Sequence, residues 1–199
     1  MIAVIVQARL GSTRFPRKVL ADLNGKPVLQ HVMERAEQIG LPAILATPDL
    51  ELAQQPYVQK YHLGSEHDVL GRFAECAKRH RLETIIRITA DCPLIQPELC
   101  RKLLRLYWNT GVSYAAIAEG KTFPKGYGCE VFSRFALDLA NAMAGDPHDR
   151  EHVTTWIEDH CHKAYLTQET DEADMNYCVD TIEDLERIRR GTKGENKSP

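Results

Sequence analysis

The chain has 199 residues with 25 basic and 28 acidic side chains, a formal charge of −3. That length suits one domain, burying about 70% of its unfolded surface with no need of a disulfide or metal staple. The charge balance excludes a general nucleic-acid binder, whose footprint is net basic. The apolar opening over residues 1–6 is too short for a signal h-region or a membrane span, so a cytosolic protein with no membrane segment is expected.

Residues 2–6 form a short β-branched apolar run and read as a buried strand, followed by a polar loop containing Gly11, Ser12, Thr13 and Pro16. Pro27 opens a helix that keeps Val28, Leu29, Val32, Met33, Ala36 and Ile39 on one face, and Gly40 closes it. Strands are expected at 43–47 and 58–63, with at most one short helix over 48–57. Ser65-Glu-His-Asp68 reads as a capping-box variant before a helix with Val69, Leu70, Phe73, Ala74 and Ala77 inward. A central strand follows at 84–89, then a helix from Pro97 and a strand at 112–117. The pattern predicts further strands at 129–132, 163–167 and 175–179, and helices at 134–143, 150–159 and 182–190. The polar tail 191–199 reads as disordered, leaving a single domain over 1–190. Alternating strands and helices imply an α/β fold: a mostly parallel, three-layer α/β/α sheet, with ligands outside the carboxyl ends of its strands.

The charge is concentrated. Residues 1–21 carry Arg9, Arg14, Arg17 and Lys18 and no acid, leaving −7 on the rest. The loop Gln7-Ala-Arg-Leu-Gly-Ser-Thr-Arg-Phe-Pro-Arg-Lys18 has neither P-loop nor G-x-G-x-x-G spacing. It nevertheless places a flexible glycine, two hydroxyls and several cations just after the first strand, as an anion site requires; the alternative is a solvated basic loop. Asp91, pinned by Pro93 past the central strand, is placed to hold Mg²⁺; the alternative is an Asp that caps a turn. Asp180 follows an apolar stretch near the C-terminus, but Thr181-x-x-Asp184 beside it resembles a helix cap. If both strand ends share one sheet edge, Asp91 and Asp180 form a dicarboxylate seat for Mg²⁺, uncompensated without metal.

Other clusters carry weaker signals. His148 and His152, one helical turn apart, and His160-Cys-His162 contain zinc-ligand types without a zinc-protease pattern. His152 reads instead as lining an acceptor pocket, and Glu130 as a contact for a sugar hydroxyl or amine or as a solvated strand residue. The cysteines at 76, 92, 100, 129, 161 and 178 have no C-x-x-C spacing and read as free thiols, Cys92 as packed rather than nucleophilic.

Five segments, in order, carry a resemblance: the loop 7–18, Gly64-Ser-Glu-His-Asp-Val-Leu, Arg87-Ile-Thr-Ala-Asp-Cys-Pro-Leu-Ile, Arg150-Glu-His-Val-Thr and Val179-Asp-Thr-Ile-Glu-Asp-Leu. Over residues 2–190 the chain resembles the cytidylyltransferases that activate sugar acids, in the branch of spore coat polysaccharide biosynthesis protein F. The resemblance implies a nucleotidyltransferase with a glycosyltransferase-A-like sheet, acting on CTP and a sugar acid with Mg²⁺ and pairing as a homodimer. Arg9, Gly11, Ser12, Arg14, Lys18 and Arg87 are then the nucleotide contacts and Asp91 and Asp180 the metal ligands, with Lys18, Arg14, Asp91 and Asp180 at the reacting centre. Residues 48–57 are shorter than the family's usual helix, and Lys125-Gly-Tyr-Gly-Cys-Glu130 departs from its usual Arg-Gly-Leu-Asp-Val-Glu. Two rival readings are a glycosyltransferase of similar fold and a noncatalytic nucleotide-binding subunit.

Overall fold

β-Branched and aliphatic runs become strands, and amphipathic stretches between them become the covering helices. The computed structural model describes residues 1–195. In chain order these are β1 (Ile2–Gln7), a 3-10 turn (Lys18–Leu20), the hairpin β2 (Asp22–Leu23) and β3 (Lys26–Pro27), α1 (Val28–Glu37), β4 (Ala43–Thr47), α2 (Leu50–Ala53) and β5 (Tyr61–Leu63). There follow α3 (Val69–Arg79), β6 (Thr84–Thr89), α4 (Pro97–Thr110), β7 (Tyr114–Ile117), β8 (Glu130–Ser133) and α5 (Arg134–Met143). The C-terminal part contains α6 (Pro147–His152), α7 (Thr155–His160), β9 (Lys163–Leu166) and α8 (Ile182–Glu195).

Seven strands form one sheet in the order β5-β4-β1-β6-β8-β7-β9. Four neighbouring pairs are parallel, and β8 enters antiparallel between β6 and β7. Strand alternation divides the core in two. Val4, Val6, Leu45, Ile86, Ile88 and Val131 face α1 and α4. Ala3, Ile5, Ile44, Ile85, Tyr114 and Phe132 face α3, α5 and Ile157 of α7. By the same alternation Arg87, Glu130, Tyr114 and Ala116 lie on the second face, and Arg87 stands opposite Glu130 in the β6–β8 register.

Local signals set the boundaries. Asp68, not Ser65, caps α3, its side chain accepting from Gly71 N–H at 2.9 Å, while Ser65 Oγ accepts from Asp68 N–H at 3.0 Å. Ser133 caps α5 through Ala136 N–H at 3.0 Å. Pro97 starts α4, and Gly111 ends it in the left-handed conformation.

Three expectations need correction. The helix over 150–159 is two helices, because Val153 adopts φ 65° and ψ −54° and Thr154 N–H bonds back to His152 C=O at 2.7 Å. This is a strained three-residue γ-turn, held by the complete burial of Val153. No strand forms over 175–179; this segment makes only an isolated bridge, Lys125 to Asn176. The tail is helical through Glu195, because Ile188 and Leu185 bury against Leu23 and Val28; residues 196–199 of the expected disordered tail lie outside the described residues.

Phe132 is fully buried in the second core layer. Phe132→Ala is expected to cost about 3–5 kcal/mol of unfolding free energy in urea denaturation; a loss under 1 kcal/mol would contradict this packing.

Candidate active site

The carboxyl ends of β1 and β6 open onto a cavity of about 750 Å³ whose lining includes Arg9, Gly11, Ser12, Arg14, Lys18, Asp91, His152 and Asp180. Lys18 begins the 3-10 turn, reached through Arg17 in the left-handed conformation. Its Nζ donates to Asp91 Oδ2 at 2.8 Å and to Asp180 Oδ1 at 2.9 Å, so one ammonium bridges residues 73 and 162 positions away. Arg14 Nη2 adds a second cation, 3.0 Å from the same Asp180 oxygen. Burial works against the charge on Lys18, but Asp91 and Asp180 outweigh it and hold the ammonium above the usual lysine range. Burial likewise opposes ionisation of Asp91, and Lys18 outweighs it, keeping that carboxyl below its usual range.

Asp91 stands two residues beyond β6. Asp180 arrives without a strand. Val179 N–H bonds Asp91 C=O at 2.8 Å, and Tyr177 N–H bonds Lys125 C=O at 2.6 Å. The cap suspected at Asp180 is made by its neighbours. Asp184 Oδ2 accepts from Thr181 N–H at 3.0 Å, and Thr181 Oγ1 accepts from Asp184 N–H at 3.2 Å. The carboxylate of Asp180 is thereby left to Lys18 and Arg14. Both carboxylates meet at one ammonium, and the expectation that they are uncompensated without metal is corrected: Lys18 bridges them and Arg14 adds the second positive charge at Asp180.

The rest of the cationic loop is tied down from outside. Leu10 N–H donates to Asp49 Oδ2 at 2.8 Å, and a Cβ at Gly11 would stand 3.0 Å from Glu66 Oε1. Arg9 pairs with Glu151 at 3.0 Å at the cavity wall, both side chains about half exposed. Arg17 instead pairs with Glu51 of α2.

Arg87 was expected among the nucleotide contacts. It lines this cavity and also a smaller one behind it, and its guanidinium is already engaged. Nε and Nη2 donate to Gln7 Oε1 at 3.2 and 3.0 Å, and Nη1 pairs with Glu130. Glu130 also accepts from the Tyr114 hydroxyl and Thr154 Oγ1, each at 2.7 Å. Burial opposes its charge, yet Arg87 and these hydroxyls hold its carboxyl below the usual range. Three donors therefore reach Glu130, which holds Arg87 and also lines the smaller cavity. Thr154 reaches Glu130 from the far side of the Val153 turn, while His152 stays in the larger cavity with its ring against His148, centroids 4.3 Å apart.

Arg150 forks onto Asp68, with Nε 2.9 Å from Oδ1, and its Nη1 donates to Asn141 C=O at 3.0 Å. Thr154, not singled out from sequence, belongs to the same Arg150-Glu-His-Val-Thr segment, and Glu151, weighed only beside His148 and His152 as a zinc ligand, pairs with Arg9 instead; Gln7 and Tyr114 carried no separate signal. Among the described residues no three His, Cys, Asp or Glu side chains are gathered for a metal, so neither histidine cluster forms a zinc centre. Two hard carboxylate oxygens on one ammonium, beside a cavity lined with cations, are a donor set that fits Mg²⁺, which takes one or two carboxylates and completes its shell with phosphate and water. Cys92 lies 3.5 Å from Cys178 sulfur to sulfur; that contact and burial push its thiol well above the usual range, and it is packed.

Comparison with known proteins identifies the family. The profile of the family described as Cytidylyltransferase matches residues 3–195. The chain is 31% identical to spore coat polysaccharide biosynthesis protein SpsF of Bacillus subtilis, over 80% of this chain and 70% of that protein. It is 34% identical to 3-deoxy-manno-octulosonate cytidylyltransferase of Bartonella bacilliformis, over 57% of this chain and 51% of that relative. A solved cytidylyltransferase of Leptospira borgpetersenii superposes with a TM-score of 0.87 at 26% identity, covering 94% of this chain and 84% of that one. The chain belongs to the cytidylyltransferase family, a family of nucleotidyltransferases.

Glu130→Gln leaves Arg87 half-buried with its charge uncompensated, which is expected to cost about 3–5 kcal/mol at neutral pH. A depressed carboxyl contributes stability above its unfolded value of about 4.3, and this is lost as pH falls through the lower folded value. The gap between wild type and variant is therefore expected to narrow below about pH 4 in chemical denaturation; a gap independent of pH would contradict an ionised Glu130.

Proposed function

We propose that this cytidylyltransferase-family chain transfers CMP from CTP to a sugar acid, releasing pyrophosphate, with Mg²⁺ held by Asp91 and Asp180. The observation that carries the reading is Lys18 bridging those two carboxylates in a cavity that Arg9, Arg14 and Arg87 also line. The kinship with a spore coat polysaccharide protein and a 3-deoxy-manno-octulosonate cytidylyltransferase supports a sugar-acid acceptor.

In this reading a hydroxyl oxygen of the acceptor attacks the α-phosphorus. A new P–O bond forms, the bond from that phosphorus to the bridging oxygen breaks, and pyrophosphate departs as the hydroxyl proton is lost. Negative charge grows on the leaving oxygens, where Lys18, Arg14 and Arg9 stand to offset it. The bound ion supplies charge neutralisation at the phosphates and lowers the pKa of a nearby hydroxyl. Asp91 and Asp180 would hold the ion in place of Lys18, whose ammonium would then be available to phosphate oxygens. Gly11 lets the loop backbone come close to the phosphates, and Ser12 and Thr13 offer hydroxyl donors. The homodimer implied by the resemblance is part of the same reading; light scattering that finds only monomer at high concentration would remove it.

The test is pyrophosphate release with each of the four nucleoside triphosphates over a panel of sugar acids. CTP is expected to be preferred, with release dependent on both substrates; release of a nucleoside diphosphate from a sugar nucleotide would instead identify a glycosyltransferase. Asp180→Asn and Asp91→Asn are expected to lower turnover on the order of 10²-fold or more, the scale for removing one charge-stabilising group from an enclosed site. The double variant is expected to lose little more than the worse single one, because both act through one ion. Near-normal turnover in Asp180→Asn would remove the shared seat. Lys18→Ala and Arg14→Ala are expected to weaken CTP binding in calorimetry while leaving the unfolding transition cooperative.

A further inference from the structure

Behind the nucleotide cavity lies a chamber of about 260 Å³, the scale of one small ligand. The two spaces share Arg87 and Thr89, so a ligand in the chamber abuts one in the cavity. Its walls come from the end of β7, the loop beyond it, the start of β8, α7 and β9.

The charges on these walls divide into spent and available groups. Arg87 and Glu130 neutralise each other. Glu119 Oε1 accepts from Gly126 N–H, and Glu158 Oε1 accepts from the Tyr165 hydroxyl. Among the described residues the second oxygen of each carboxylate has no hydrogen-bond partner. The one cation not held by a carboxylate is Lys121, whose Nζ lies 4.9 Å above the Tyr165 ring. Room for the Glu119 carboxylate exists because residue 128 is glycine: a Cβ there would overlap Glu119 Oε2. The chamber therefore offers two carboxylate acceptors and one ammonium, an excess of negative charge in a partly enclosed space.

We propose that this chamber receives the acceptor and selects one bearing a protonated amine, whose N–H donors go to Glu119 and Glu158, over an acceptor of the same skeleton with a hydroxyl in that place. Lys121 is left to take the acceptor's carboxylate. The substrate is then an amino-substituted sugar acid, a deepening that rests on the transfer reading above. A hydroxyl would satisfy one carboxylate oxygen and leave the excess charge uncompensated; an ammonium satisfies both groups with charge-assisted bonds. Burial pushes the Glu119 carboxyl above its usual range, with Glu130 and Asp91 adding to it, and an incoming ammonium relieves that opposition.

The experiment compares pairs of ulosonic acids that differ by one amine-for-hydroxyl replacement, as substrates for pyrophosphate release at saturating CTP and as ligands in calorimetry with CMP present. The amine is expected to be preferred by about tenfold or more in kcat/KM, the discrimination of a polar site against an analogue lacking its donor. Glu119→Gln is expected to remove most of that preference while CTP affinity stays unchanged. Gly128→Ala is expected to do the same by displacing the Glu119 carboxylate, and it decides the matter if Glu119→Gln does not fold. Preference for the hydroxyl acid, or an amine preference untouched by both variants, overturns the proposal. If neither acid turns over, the transfer reading fails separately: amine-selective binding still upholds the chamber, and equal or absent binding of the pair overturns it.

Discussion

The site is organised around one ammonium. Lys18 Nζ lies within 2.9 Å of two carboxylates that follow it by 73 and 162 positions in the chain. Two such carboxylates side by side repel, and taking each from water carries a cost that only a nearby cation offsets. Lys18 supplies that cation from the loop after the first strand, and it reaches the seat because Arg17 adopts a left-handed conformation and turns the chain. A small set of interactions thus ties the cationic loop, the end of β6 and the segment before α8 to one point. The backbone bond from Val179 to Asp91 and the burial of Leu185 and Ile188 hold the last of these in place.

A second network lies behind the first. Arg87 and Glu130 face one another across antiparallel strands, and the gaps around them are filled by Gln7, Tyr114 and Thr154. A buried pair of this kind is favourable only when its remaining donors and acceptors are satisfied, and here they are. The strain at Val153 is part of the arrangement. The γ-turn lets His152 line the larger cavity while Thr154, two positions on, reaches Glu130. Arg150, forked onto the Asp68 cap of α3, fixes the start of the same segment. Two of the five sequence segments singled out, Gly64-Ser-Glu-His-Asp and Arg150-Glu-His-Val-Thr, therefore meet in space.

Most of the sheet was legible because its strands are short apolar runs bounded by turn residues, and the helices over 97–110 and 134–143 carry their own start signals in Pro97 and Ser133. The features that escaped have physical reasons. The hairpin of β2 and β3 has two residues per strand, too few for any periodicity. The break at Val153 contradicts local preference, since a β-branched residue disfavours positive φ and only tertiary burial holds it there. The 175–179 run looks like a strand but docks through isolated backbone bonds, because its partner is a loop. At the site, Lys18, Asp91 and Asp180 were legible from composition and from their place after apolar segments. The occupation of Glu130 by three donors was not, because it depends on strand register and on a turn that the sequence disguises.

Charge then separates the two spaces. The larger cavity sets Arg9, Arg14 and Lys18 against Glu151, Asp91 and Asp180, so each of these cations already faces a carboxylate. The chamber behind it has spent its guanidinium on Glu130 and retains two half-used carboxylates. Arg87 lines both spaces and is neutralised by Glu130. The residue that divides them is held by an antiparallel strand inserted into an otherwise parallel half-sheet. In a uniformly parallel arrangement Glu130 would not enter β8 from the side that carries Gly128 and the loop to Glu119. The inserted strand is what brings a loop, and with it the chamber's charges, to the carboxyl edge where the nucleotide site already lies.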